Sequence, residues 1–166
     1  AGNPFKAIPA MVISACMNTN PVMIYFGQEL GEKGMDEEGF SGRDGRTTIF
    51  DYWTVDTIRR WRSGGKFDGK MLTKEEKKLQ NFYSTLLNLC NKEKAIREGV
   101  FFDLTYANLE GIVFNEHKQY AFFRKAGKEL IFIIVNFDEK PAAPCVKIPT
   151  HAFDYLGIPF KDNYKA

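Results

Sequence analysis

Asn20-Pro21-Val22-Met23-Ile24-Tyr25-Phe26-Gly27-Gln28-Glu29 is the stretch on which the fold of this chain turns. Residues 22–26 are apolar without alternation, the pattern of a strand buried on both faces of a parallel sheet. Such a strand delivers Gly-Gln-Glu at its C-terminal end, and β/α barrels build their sites at that end of their strands. Just upstream, Asn18-Thr19-Asn20-Pro21 is turn chemistry. Before the turn, residues 9–17 are apolar nearly all round, which predicts a buried helix. Asn3 followed by Pro4 is a cap with a first-turn proline. Residues 27–48 are polar, with glycines at 27, 31, 34, 39, 42 and 45, and read as a long loop. Loops of that length are uncommon unless they carry function.

Further along, Ile58 and Trp61 at i,i+3 spacing predict a short helix over residues 55–62. Thr73-Lys74-Glu75-Glu76 is a capping box, in which each end satisfies an orphan amide of the other. It predicts a helix to about Asn91, with Leu79, Phe82, Tyr83, Leu86, Leu87 and Cys90 on its apolar face. Beyond Gly99 the chain reads as strand and turn throughout. Short β segments are expected at 113–114, 120–124, 130–136 and 144–148, with a tight turn at Ala126-Gly127-Lys128 that makes 120–136 a hairpin. Several short strands at close spacing predict a sandwich or a small barrel. The first half offers residues 22–26 no second strand of their own type, and an unpaired strand leaves its backbone groups orphaned. Residues 1–98 therefore read as the end of a larger α/β domain, and residues 99–166 as a separate β domain.

The composition sets limits. With 166 residues, 44% hydrophobic and 27% charged, the chain can bury a core and is neither disordered nor collagen-like. No apolar run approaches the roughly 20 residues of a membrane helix. A formal net charge of +2 gives no push toward nucleic acid or acidic lipid. The balance is uneven along the chain: residues 28–56 hold eight acids and three bases, and residues 59–78 hold eight bases and three acids. The basic stretch lacks interleaved stacking aromatics and reads as a solvated face. Cys16, Cys90 and Cys145 lie far apart in sequence and read as reduced core thiols, a count of three leaving the compartment open. His117 and His151 are distant from each other and no cysteine pair has ligand spacing, so neither a metal nor another cofactor is expected. Gly42-Arg43-Asp44-Gly45-Arg46 lacks the phosphate-loop pattern and reads as a tight, salt-bridged loop. Glu29 has two readings, a functional group at a strand end or an anchor pairing with an arginine such as Arg43 or Arg46.

The segment 20–29 resembles the last barrel strand of the alpha-amylase family of glycoside hydrolases, Gly-x-Pro-x-x-Tyr-x-Gly-x-Glu, with Asn20 in place of the first glycine. The likeness continues in order. Residues 42–53, Gly-Arg-Asp-Gly-Arg-Thr-Thr-Ile-Phe-Asp-Tyr-Trp, are similar to the loop after that strand, and residues 72–89 to the final barrel helix. Glu98-Gly99 and residues 101–104 resemble the start of the family's C-terminal β-sandwich. Tyr120-Ala121-Phe122-Phe123-Arg124 and Val135-Asn136-Phe137 are similar to strands within it. The resemblance implies the end of a (β/α)8 barrel followed by a small antiparallel β-sandwich, from an enzyme cleaving α-glucosidic bonds in starch-like glucans or maltooligosaccharides. It places Tyr25, Gln28 and Glu29 at the barrel mouth and Arg43, Asp44 and Arg46 on the following loop, lining the site or scaffolding it.

These enzymes are retaining, with a carboxylate nucleophile and a carboxylic acid/base. In the family the catalytic carboxylates precede this segment, and none of their motifs occurs here, so no residue of this chain is assigned a catalytic role. The resemblance leaves room for a structural calcium in the parent enzyme. It also implies that the chain alone self-associates through its uncovered barrel remnant, with Met11, Met17, Met23 and Phe26 as a soft surface. Two other functions fit the composition: a self-contained sugar-binding β-sandwich module, and an enzyme-derived interaction protein without chemistry.

Overall fold

The computed structural model describes residues 3–32, 55–109, 113–161 and 164. It is a mixed α/β structure with one three-stranded antiparallel sheet. Two compact units divide it, Ala1–Phe5 with Pro21–Leu87, and Lys6–Asn20 with Asn88–Ala166.

In the first unit, helix α2 (Asp56–Arg62) and most of helix α3 (Lys74–Lys92) are the regular elements. The capping box forms as its residues predict. Thr73 N–H donates to Glu76 Oε2 at 2.8 Å and Glu76 N–H donates to Thr73 Oγ1 at 3.2 Å. Along α3 the buried stripe is Glu76, Leu79, Tyr83 and Leu86, spacings of three and four that keep one face inward. Residues 21–26 depart from expectation. They form no strand, their exposure alternates along the chain, and Met23 is 83% exposed. The physical reason lies in the backbone of Tyr25: its carbonyl accepts Gln28 N–H at 2.9 Å and its N–H donates to Gln28 Oε1 at 3.1 Å. A local turn takes up groups that a ladder would otherwise use.

The second unit begins with helix α1 (Ile8–Cys16). Asn3 Oδ1 accepts Phe5 N–H at 3.0 Å, both residues belonging to the first unit. Met11, Ala15 and Cys16 are buried, whereas Val12, Ile13 and Met17 are half-buried and Ala10 and Ser14 exposed, so α1 packs through one face and is not enclosed. Burial of Met11 also means that the four residues expected to form one soft exposed surface do not all contribute to it. After the short helix α4 (Lys94–Glu98) come β1 (Val100–Asp103), β2 (Gln119–Ala126) and β3 (Glu129–Asn136), ordered β1-β2-β3. The hairpin stands where the turn residues put it, with Ala126 opposite Glu129 and Tyr120 opposite Val135.

Strand β2 is central and covered on both faces. On one, Ala121 and Phe123 join Leu104, Phe114 and Leu156 in the core, the last supplied by helix α5 (Thr150–Leu156). On the other, Arg124 reaches α4 and the end of α1. Its Nη1 donates to Met17 O at 2.9 Å, its Nε to Ala95 O at 3.2 Å and its Nη2 to Ile96 O at 2.8 Å. Burial lowers the Arg124 pKa from its ordinary value.

Three further expectations need correction. Helix α5 interrupts what reads as continuous strand and turn. Residues 113–114 and 144–148 are not strands. Phe114 is instead a core plug, 2% exposed. At 147 the ladder is replaced by a side chain: Asn108 Oδ1 accepts Lys147 N–H at 2.6 Å, while Asn108 Nδ2 donates to Lys147 O at 2.9 Å and Leu104 O at 2.7 Å. Lastly, the cysteines are not three separate core thiols. Cys145 is exposed, and the Sγ atoms of Cys16 and Cys90 lie 3.7 Å apart.

Candidate functional site

The turn after residue 26 is built by glycine. Gly27 (φ +73°) and Gly31 (φ +74°) flank a single helical turn, Gln28–Leu30, in the left-handed region that side chains with a Cβ resist. Space is also short, since a Cβ on Gly27 would meet Glu32 Cβ at 2.8 Å and one on Gly31 would meet Pro4 Cγ at 2.9 Å. Between the glycines Leu30 is buried, 2% exposed, and pins the turn to the core.

Gln28 is the organising side chain. Its Oε1 accepts Tyr25 N–H at 3.1 Å and its Nε2 donates to Tyr83 Oη on α3 at 3.0 Å. The amide thereby ties the turn to the middle of the longest helix. Tyr25 is 48% exposed and Glu29 half-buried. Of the six residues expected at the site, Tyr25 and Gln28 are thus joined directly. Arg43, Asp44 and Arg46, and with them the anchor role for Glu29, lie outside the described residues.

Beside this turn is a cleft of about 450 Å3, lined by apolar Pro4, Phe5, Leu30, Val55 and Leu79 and by polar Glu32, Asp56, Thr57, Arg60, Thr73, Glu75 and Glu76. Four carboxylates face one guanidinium. Thr57 Oγ1 donates to Glu32 Oε2. Arg60 Nε donates to Glu76 Oε1 at 3.0 Å and Oε2 at 3.1 Å, and its Nη2 also donates to Oε1. Burial pushes the Glu76 carboxyl up, yet the Arg60 and Thr73 hydrogen bonds outweigh it and hold the pKa below its ordinary value. The same Glu76 bond raises the Arg60 pKa. Asp56 pairs with Arg59 Nη1 at 3.9 Å, and its carboxylate and that of Glu75 complete the acidic lining. No group of three metal-ligating side chains occurs among the described residues.

Neither Tyr25, Gln28 nor Glu29 lines this cleft. Its polar wall draws on residues spread from 32 to 76, and no local motif in the sequence announces it. The one available signal was Glu76, already marked by the capping box, whose second oxygen could be expected to seek a cation. Arg60 meets it from within the basic stretch expected to be a solvated face. Among the described residues no helix is long and apolar enough to cross a membrane. Against protein-family models, curated proteins and solved structures the chain finds no match.

Proposed function

We propose that the chain is the C-terminal part of an α-amylase-type glycosidase, the end of a (β/α)8 barrel followed by a β-sandwich. The parent enzyme hydrolyses α-glucosidic bonds of starch-like glucans or maltooligosaccharides with retention of configuration. The observation that carries this proposal is the run of four family-like stretches, 20–29, 42–53, 72–89 and 98–137, in the family's own order.

Retaining hydrolysis needs one carboxylate to attack the anomeric carbon and one carboxylic acid to protonate the leaving oxygen. On this proposal earlier strands supply both, and the present chain contributes shape. The Gln28 amide, bonded to Tyr25 and Tyr83, holds the turn that follows residues 21–26. Tyr25 and Glu29 then line the mouth, while Arg43, Asp44 and Arg46 bind sugar hydroxyls or brace the loop beside them.

The test compares this chain with a polypeptide that carries the preceding barrel strands ahead of it. The longer polypeptide is expected to release α-configured reducing sugar from maltooligosaccharides and the 166-residue chain none. Sedimentation of the chain alone should show association that the longer polypeptide lacks. Reducing sugar released in proportion to the short chain, or an inactive long one, overturns the proposal.

A further inference from the structure

Cys16 and Cys90 stand 74 residues apart in sequence, yet their sulfurs are 3.7 Å apart. Cys16 closes α1 and is 2% exposed; Cys90 lies in the last turns of α3 and is half-buried, its Sγ also 3.6 Å from Ala15 O. We propose that these two thiols form an intramolecular disulfide that fastens the end of α1 to the end of α3. The sulfurs need to close from 3.7 Å to the bonding distance of about 2.0 Å. Both helices already hold them face to face.

The difference in exposure sets the order of events. A small-molecule disulfide of the glutathione class reaches Cys90 first. The Cys90 thiolate attacks one sulfur of the oxidant, forming a mixed disulfide and expelling one thiol. The Cys16 sulfur, having lost its proton, then attacks the Cys90 sulfur and expels the second thiol. Two protein thiols and one oxidant disulfide thus become one protein disulfide and two small thiols, with electrons and protons balanced. Burial and the neighbouring Cys90 push the Cys16 thiol up to about 12, so it waits protonated; the nearby Arg124 guanidinium works in the opposite direction, favouring the thiolate as it forms. Arg124 also holds Met17 O, the carbonyl next to Cys16, at 2.9 Å, which keeps the end of α1 in place for the second step.

Exposed Cys145 supplies the internal control. The full chain is incubated with oxidised glutathione, alkylated under denaturing conditions and mapped by peptide mass spectrometry. The expected product carries a Cys16–Cys90 cross-linked peptide lighter by two hydrogens, and reduction restores both alkylatable thiols. Closing so long a loop should raise Tm by about 5–10 °C, reversibly on reduction. Cys145→Ser should form the same link with the same shift. Cys90→Ser should leave Cys16 reduced, and Cys16→Ser should stop at a glutathione adduct on Cys90. The proposal is overturned if the native sequence stops at that Cys90 adduct with Cys16 still alkylatable, or if the cross-link that forms runs through Cys145.

Discussion

Two arginines in this molecule solve the same problem with different partners. Arg60 keeps its guanidinium at a surface, one-third exposed, and meets a single carboxylate, Glu76, through both oxygens. Arg124 is 2% exposed and meets three backbone carbonyls, of Met17, Ala95 and Ile96. The shifts run in opposite directions: the Glu76 bond raises the Arg60 pKa, and burial lowers that of Arg124. A cation near water gains from a countercharge, while a cation in the interior must be solvated by dipoles because loss of water dominates. Arg124 therefore works as a tie rod through the second unit, and Arg60 as a clip on one helix end of the first.

The largest loss is expected of Arg124→Met. Removing the guanidinium leaves three carbonyls facing an apolar side chain, at an expected cost of about 3–5 kcal/mol. Urea unfolding at neutral pH measures it, and a loss below about 1 kcal/mol would mean that the carbonyls find other donors at no cost.

A second variant attacks the cradle and leaves the cation alone. A Cβ on Gly99 would stand 2.2 Å from Ala95 O, one of the Arg124 acceptors, and 2.6 Å from Lys125 O. Both are backbone atoms and cannot swing away. Gly99→Ala should cost about 2–3 kcal/mol through forced backbone displacement, with slower-exchanging amides of β2 losing protection. Unchanged exchange in β2 would show that α4 simply moves aside.

The smallest effect belongs to the Arg60–Glu76 clip. Glu76→Gln weakens both the Arg60 pair and the capping box and should cost about 1–2 kcal/mol at pH 7. Its pH dependence gives the sign. The folded Glu76 carboxyl is held below its ordinary value of 4.5, so its contribution is present above that pH and is lost as pH falls through the lowered folded value. Native protein should therefore lose this share of stability on acidification, and the Gln variant should lose correspondingly less. Parallel acid titrations of the two proteins would remove Glu76 from the account.

What the sequence discloses follows the distance to each partner. Thr73 and Glu76 answer one another within one helical turn, and the β2–β3 hairpin needs only the turn at Gly127, so both are legible. Residues 22–26 read as a strand because five apolar side chains say how much they would bury and nothing about what lies opposite. Gln28, two places on from that run, decides the matter by taking Tyr25's N–H. The Arg124 cradle is illegible for a different reason. Its acceptors are main-chain carbonyls, which every residue possesses, so no side-chain type marks Met17, Ala95 or Ile96 in advance. At the candidate site Tyr25 and Gln28 could be singled out, whereas the cleft acids Glu32, Asp56 and Glu75 come from separate segments and share no spacing.

Trp61, edge-on to Phe67 with ring centroids 5.2 Å apart, belongs with the chain's other tryptophan, Trp53, to the Pro21–Leu87 part of the chain. All three cysteines belong to the remainder, at positions 16, 90 and 145. The described indole, Trp61, thus lies in one unit and the three thiols in the other. Fluorescence emission reports on the first, a thiol-coupled chromophore on the second, and the order in which the two signals disappear on heating can be followed in a single cuvette without altering a residue.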